Sequence, residues 1–482
     1  MAEPLLIEPL TGPLAAVNNL ENYMIRIGDR RDFLRVGSLA LGGLSLPWLI
    51  PTANAGTKLS EAGKPVTDKS VVFLFLHGGP SQYETFDPKM AAPAEIRSAT
   101  GETKTAIPGV TFGGTFPKLA ARADKLCVVR SFVPGDANHD IKTIVGKDSF
   151  GANIGSAYAS AAGGNNPSNG MPTNCVLFPR AVDPNAGAEQ SGFGKFVSTG
   201  PFPASTTPFQ PDGNGSLKKD MKLNLPLDRL GDRRALLSGF DQLKAGLEAE
   251  GESVDAARQK AFSILLGGVG EAFDIGKEDV KTVAKYDTEK LFDVAKIDKK
   301  WNNHKHYADN ARTLGKLMLL ARRLVERGAG FVTVTTNFVW DMHADQNNAH
   351  MTEGMGYMAP SLDHAVSTFL DDLRDRGLSD KVMLVVCGEM GRTPRINGKG
   401  GRDHWGNLGP LMLAGGGLPE GVVVGKSAAN GGEPNSDPVR VPNLIGTIMH
   451  ALFDVGKLRV TRGVSRELLA MSEYAPIPGL NG

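Results

Sequence analysis

Six apolar residues, Val382–Cys387, lead straight into Glu389, Gly391, Arg392, Thr393 and Pro394, and a glycine-rich turn then delivers Arg402, Asp403, His404 and Trp405. Three other strand-like runs end in the same way. His77 follows residues 70–76, His139 and Asp140 follow residues 126–130, and Asp341, His343 and Asp345 follow residues 331–336. Imidazoles and carboxylates are the side chains that hold a divalent metal, and this mixture suits zinc, manganese or iron, with calcium open. The same groups can move protons, and His139 is the candidate general acid or base if it titrates near neutrality. Taken singly each has a plainer use, since a histidine in a glycine-rich loop can cap a turn and an Asp-x-His pair arises by chance. Their shared position after apolar runs argues for them as a set.

The elements that must position them are legible as patterns. The runs at 70–76 and 382–387 are almost continuously apolar rather than alternating, which is the pattern of strands covered on both faces, and residues 331–336 form a further strand after a helix and two glycines. Residues 308–327 carry Leu314, Leu317, Met318, Ala321 and Leu324 along one helical stripe, and residues 359–376 form a second helix before the 382–387 strand. Helix, strand, helix, strand with short joins predicts an α/β fold with a mostly parallel central sheet and helices on both faces. In such a sheet the carboxyl ends lie along one edge, where open α/β sheets keep their sites. Residues distant in the chain then share a crevice. Residues 180–305 begin with many prolines and glycines and continue into helical patterns at 233–250 and 254–266, so they predict a cap-like insertion that starts as a surface excursion. Glu353, Asp371 and Asp372 are expected on solvated helix faces.

Composition narrows the function classes. Fifty-three basic against fifty-two acidic residues give a net charge of +1, so nothing in the overall charge favours nucleic acid or a polybasic membrane contact. Cys127, Cys175 and Cys387 show no paired spacing and predict buried thiols, a Cys127 to Cys387 bridge requiring neighbouring strands. Arg30 and Arg31, followed by Phe33 and Leu34, an uncharged stretch at 36–50 and Ala53-Asn54-Ala55, form a twin-arginine export signal over residues 1–55. The uncharged stretch is shorter than the ~20 residues that span a bilayer. The expectation is cleavage after Ala55, no stable membrane span afterwards, and a single domain over 56–482 located in the periplasm or at the cell surface.

The segments RRDFLRVG, LHGGPSQYETFDPK, LLARRLVERGAGFVTV with WDMH, and LDHAVSTFLDDLRDRGLSDKVMLVVCGEMGRTPRINGKGGRDHW resemble the exported bacterial family catalogued as domain of unknown function 1501. That family is similar in fold to the alkaline phosphatase and sulfatase superfamily. The resemblance implies that Glu389 stands where the superfamily has a metal-binding Asp, with Met390 in place of its partner ligand. It implies that Asp341 and His343 match the Asp and His after the preceding strand, that His404 matches the last histidine, and that His77 takes the place of another metal-binding Asp. No Cys or Ser lies in a sulfatase-type nucleophile motif, and Ser81 and Ser131 are the remaining candidates. The resulting expectation is a metal-dependent hydrolase of phosphate or sulfate esters, acting on a small anionic ester or a sulfated or phosphorylated glycan. Asp341, His343, Glu389 and His404 would hold the metal, and Arg392 and Arg402 would bind the substrate anion, Arg392 also serving catalysis. The alternative is a non-catalytic surface or carbohydrate-binding protein on the same fold.

Overall fold

Seven strands form the central sheet: β1 (Ser70–Phe75), β2 (Cys127–Val129), β3 (Asn174–Leu177), β4 (Phe331–Thr335), β5 (Val382–Cys387), β6 (Leu411–Gly415) and β7 (Val422–Val424). The computed structural model describes residues 65–211 and 269–480, so the expected signal segment at 1–55 and the helical patterns at 233–250 and 254–266 lie outside the described residues. The strand order is β7-β2-β6-β5-β1-β4-β3. All pairings are parallel except those of β6, which runs antiparallel to both β2 and β5. The mostly parallel α/β sheet expected from the apolar runs is the one observed.

Burial on both faces accounts for those runs. Successive β1 residues alternate between two cores: Val72 and Leu74 enter one, Val71, Phe73 and Phe75 the other. The helix α1 (Ile154–Ala162) and the helix α4 (Val441–Leu452) pack on the second core. On the first lie α2 (His304–Glu326), which buries its Leu314, Leu317, Met318, Ala321 and Leu324 stripe, and α3 (Met351–Asp375). The helix α3 starts two turns before the predicted position. His350 caps it by accepting from the Glu353 backbone, and Pro360 is carried inside it; the carbonyl its ring crowds is that of Gly356, which has no side chain to add to the clash.

Register sets the site. Phe75 pairs with Thr335 on one side and with Cys387 on the other, so three parallel strands end level. The chain connecting β4 to β5 through α3 passes over β1, which lies between them. Cys127 and Cys387 flank β6 rather than each other, opposite Leu413 and Leu411, and all three cysteines are buried.

Two expectations change. The described parts of the insertion are not only a surface excursion: Val269, Ala272, Phe273, Tyr286 and Ile297 join the first core, and Phe196 and Phe202 the second. Asp372 is not a solvated helix group, because it forms an ion pair with the buried Arg322 at 2.9 Å and accepts from Arg376 at 2.8 Å and from the Tyr286 hydroxyl at 3.0 Å. Glu278 meets Arg322 at 2.7 Å and Arg323 at 2.6 Å, which ties the insertion to α2 and holds the Glu278 carboxyl down to about 2 against the opposing effect of burial.

Candidate metal centre

The strand ends deliver their side chains to one place because backbone contacts lock the loops together. Gly78 donates its N–H to both Glu389 carboxylate oxygens, at 3.0 and 3.2 Å, linking the ends of β1 and β5. The His77 carbonyl accepts from the backbones of Val339 and Trp340, both at 3.1 Å, which joins β1 to the segment carrying Asp341. Gly391–Arg392 and His404–Trp405 form a short antiparallel ribbon with His404 opposite Arg392. Asn397 donates to the His343 carbonyl at 3.0 Å and the Arg402 N–H donates to the Met342 carbonyl at 3.1 Å, so the returning loop docks against 342–343.

Three ligand atoms then form a nearly equilateral triangle. His404 Nε2 is 3.1 Å from Asp341 Oδ1, His139 Nε2 is 3.5 Å from the same oxygen, and the two Nε2 atoms are 3.0 Å apart. Ligands at bonds of ~2.0–2.1 Å around a tetrahedral ion stand about 3.3 Å from one another. The triangle has that size, and one carboxylate with two imidazoles is a suitable donor set, so the residues fit a divalent ion. His139, Asp341 and His404 form the candidate metal site among the described residues.

The other expected ligands surround this triangle. Glu389 accepts from or faces His139 Nδ1 at 3.0 Å, and His343 Nε2 lies 2.9 Å from Asp341 Oδ2. A carboxylate on the second nitrogen of a metal-binding imidazole is the usual orienting contact. Asn348, which sequence reasoning missed, donates to Asp341 Oδ2 at 3.0 Å. Its only advance signal was its position in a polar loop after a strand. Of the residues placed together by expectation, Asp341, His343, Glu389 and His404 do lie in one neighbourhood; His139, expected as an acid or base, lies inside the triangle instead.

Electrostatics agree with this geometry. Burial opposes ionisation of Asp341, but the Arg392 guanidinium and the imidazoles of His139, His343 and His404 outweigh it and hold the carboxyl well below the usual carboxylate range. Burial likewise disfavours charge on His139, yet hydrogen bonds to Asp341 and Glu389 prevail and its pKa is raised. His77 is different. Burial dominates, only partly offset by Glu389, and its pKa falls to about 4. Among the described residues its Nε2 has no hydrogen-bond partner, and its ring is packed edge-on against Phe193, Phe196 and Phe338.

Neither arginine meets the expectation of a substrate-anion receiver. Arg392 is fully buried and gives its donors to Asp341 at 2.6 Å and to the carbonyls of Gly78, Gly79 and Arg402. Arg402 is equally buried, pairs with Glu84 at 3.2 Å, lies over the Tyr83 ring and donates to the carbonyls of Thr393, Pro394, Ile96 and Arg97. A guanidinium has five N–H groups in a fixed fork, and here they are committed to the protein itself. Arg392 therefore positions Asp341, and Arg402 braces the loop that carries His404. The serines are both buried. Ser81 donates to Glu84, and Ser131 is fully buried against Gly425.

The sequence profile of a family described as "Protein of unknown function (DUF1501)" matches residues 68–462. The chain belongs to this family. Every element that shapes the site falls inside the DUF1501 match. Among curated proteins, none matches the sequence. Solved structures similar to this DUF1501 chain include Ps i-CgsB in complex with k-i-k-neocarrahexaose, at 9% identity, covering 80% of this chain and 72% of that one with a TM-score of 0.36. The PsFucS1 sulfatase from Pseudoalteromonas sp. is 10% identical over 80% and 67%, TM-score 0.34, and the alkaline phosphatase of the Antarctic bacterium TAB5 is 11% identical over 75% and 95%, TM-score 0.26. Likenesses this distant carry nothing about chemistry, which rests on the chain's own side chains. No helix among the described residues is long and apolar enough to cross a membrane.

Proposed function

We propose that this DUF1501 protein is an exported, metal-dependent hydrolase of phosphate or sulfate esters. The observation that carries the reading is the triangle of His139 Nε2, Asp341 Oδ1 and His404 Nε2 with edges of 3.0 to 3.5 Å. Two imidazole nitrogens so close to each other and to one carboxylate oxygen share few protons among them, and an ion relieves that crowding. A divalent metal there would supply Lewis acidity toward an ester oxygen and neutralise charge that develops on it. Asp341, His139 and His404 hold the ion in this scheme. Glu389 orients His139 through Nδ1, while His343 and Asn348 fix the second oxygen of Asp341. The His404 side chain is 34% exposed and Glu389 fully buried, so the cluster has one closed side and one open to substrate. The ester class is supported by the sequence resemblance of Asp341, Glu389 and His404 to the ligand positions of the alkaline phosphatase and sulfatase superfamily, and zinc, manganese or iron agrees with the two-imidazole, one-carboxylate set.

Metal analysis of protein purified without a chelating tag, together with turnover of aryl phosphates and aryl sulfates, tests the reading. The expected result is about one equivalent of a divalent transition metal on the three-residue site, and His404→Ala losing metal and turnover together. Full metal content in the His404→Ala protein would assign that histidine to the loop alone and remove the triangle from the argument. Metal without turnover would instead favour a carbohydrate-binding surface protein.

A further inference from the structure

The candidate metal centre has an aromatic wall on one side, and the wall has an open face. Phe193 is 38% exposed, whereas Phe338 is 8% exposed and Phe196 3%. The Phe193 and Phe338 rings are stacked, with centroids 4.7 Å apart and planes 23° apart. Both lie against the His139 imidazole, Phe193 at 5.3 Å and Phe338 at 4.6 Å between centroids. The stack therefore adjoins the ring whose Nε2 belongs to the donor triangle. Phe193 also meets the edge of His77 at 5.7 Å.

The loop that carries Phe193 is held in place rather than free to swing. Gly194 has φ +146, and a Cβ there would stand 2.6 Å from Ile141 Cγ1, so the backbone is pressed onto the buried Ile141 side chain. Only glycine permits that approach. Behind the stack, Phe196 packs at 5.3 Å on Phe75 and at 5.7 Å on Phe178 in the core, which anchors the segment two residues on. Burial of a phenylalanine stabilises a fold by removing apolar surface from water. Leaving one half-open beside a polar centre, on a fixed backbone, forgoes part of that stabilisation unless something else covers the ring.

We propose that Phe193, backed by Phe338, is a specificity-determining residue that covers the flat apolar face of a ring in the leaving group. The inference rests on the ester-hydrolase reading of the metal centre and narrows it to esters of ring-bearing alcohols, aryl or pyranose, rather than of small open-chain alcohols. Stacked aromatic contacts are worth ~0.5–1.5 kcal/mol beyond the area they bury. That is enough to choose between substrates and too little to be the main source of binding.

Calorimetric binding to the metal-loaded full chain tests this with three probes: methylphosphonate, phenylphosphonate and a pyranose phosphate. All three offer an anionic head to the metal centre, and two offer a ring. Wild type is expected to bind at least one ring-bearing probe roughly threefold to tenfold more tightly than methylphosphonate, and the preferred ring distinguishes an aryl from a sugar substrate. In Phe193→Ala that preference should vanish with methylphosphonate affinity unchanged, and in Phe193→Trp it should return. Equal binding of all three probes by wild type, or uniform weakening in Phe193→Ala, overturns the proposal while leaving the ester reading in place. No binding of any probe to protein shown to carry its metal overturns both.

Discussion

His77 shows how one buried side chain can set a pH dependence. Its imidazole sits among phenylalanine rings with Nε2 unpartnered, and burial lowers its pKa to about 4 from an unfolded value of 6.5. A group whose folded pKa is depressed favours the folded state while it is neutral. Its contribution is therefore whole at pH 7, begins to fall below the unfolded pKa, and is gone once pH passes under the folded one, a change of roughly 3 kcal/mol over the window. His139 acts with the opposite sign, because its pKa is raised and its contribution is lost as pH rises. Comparing wild type with His77→Phe isolates the first effect, since His139 is present in both. The urea midpoint of apo wild type should drop more between pH 7 and pH 4.5 than that of His77→Phe. Parallel pH profiles would mean that His77 is not held neutral by its cage.

At the scale of elements, the site depends on how closely the end of β1 approaches the segment after β4. Gly78 has φ +116, and a Cβ on it would lie 2.7 Å from the backbone nitrogen of Asp341 and 2.8 Å from that of Trp340. Both neighbours are main chain and cannot swing aside. Gly78→Ala should cost stability by roughly 1–3 kcal/mol through the backbone strain, and it should also weaken metal binding, because Asp341 moves with the backbone it rides on. Gly101→Ala is the matched control. Its φ is +76, yet nothing lies within 4 Å of the added Cβ, so it carries the conformational strain without the collision. Chemical denaturation and metal titration of the two variants separate these terms; equal metal affinity in both would remove the β1 approach as a determinant of the centre.

For the whole molecule, the export reading makes a prediction independent of the site. Arg30 and Arg31 lie in the segment expected to be removed after Ala55. Replacing both by lysine keeps the charge and should block delivery to the periplasm while the cytoplasmic protein still folds. Cell fractionation with N-terminal sequencing reads this directly, and a double variant that arrives outside the cytoplasm cleaved after Ala55 would sink the twin-arginine assignment. A folded passenger also suits a candidate centre such as this one, whose proposed ligands come from positions 139, 341 and 404 and converge only when the sheet is complete.

Much of this architecture could be read before any coordinates. Strands covered on both faces favour continuously apolar runs, so β1 and β5 announced themselves, β4 was marked by its place after a helix and two glycines, and the polar residues just beyond them had to share an edge once the sheet was parallel. Family membership was legible for the same local reason, in the run from 362 to 405. Roles within the crevice were not. Whether His139 points into the donor triangle or only near it depends on a register between strands far apart in the chain, and no local pattern encodes that register. The arginines illustrate the same limit: beside a carboxylate in sequence they look like anion receivers, but their guanidinium groups are consumed by Asp341, Glu84 and backbone carbonyls that only the fold brings within reach. Phe193 carried no signal at all, because an aromatic residue in a glycine-rich loop has no periodicity to betray it. Its position over His139 comes from the contact of Gly194 with Ile141, two residues more than fifty positions apart that packing alone places side by side.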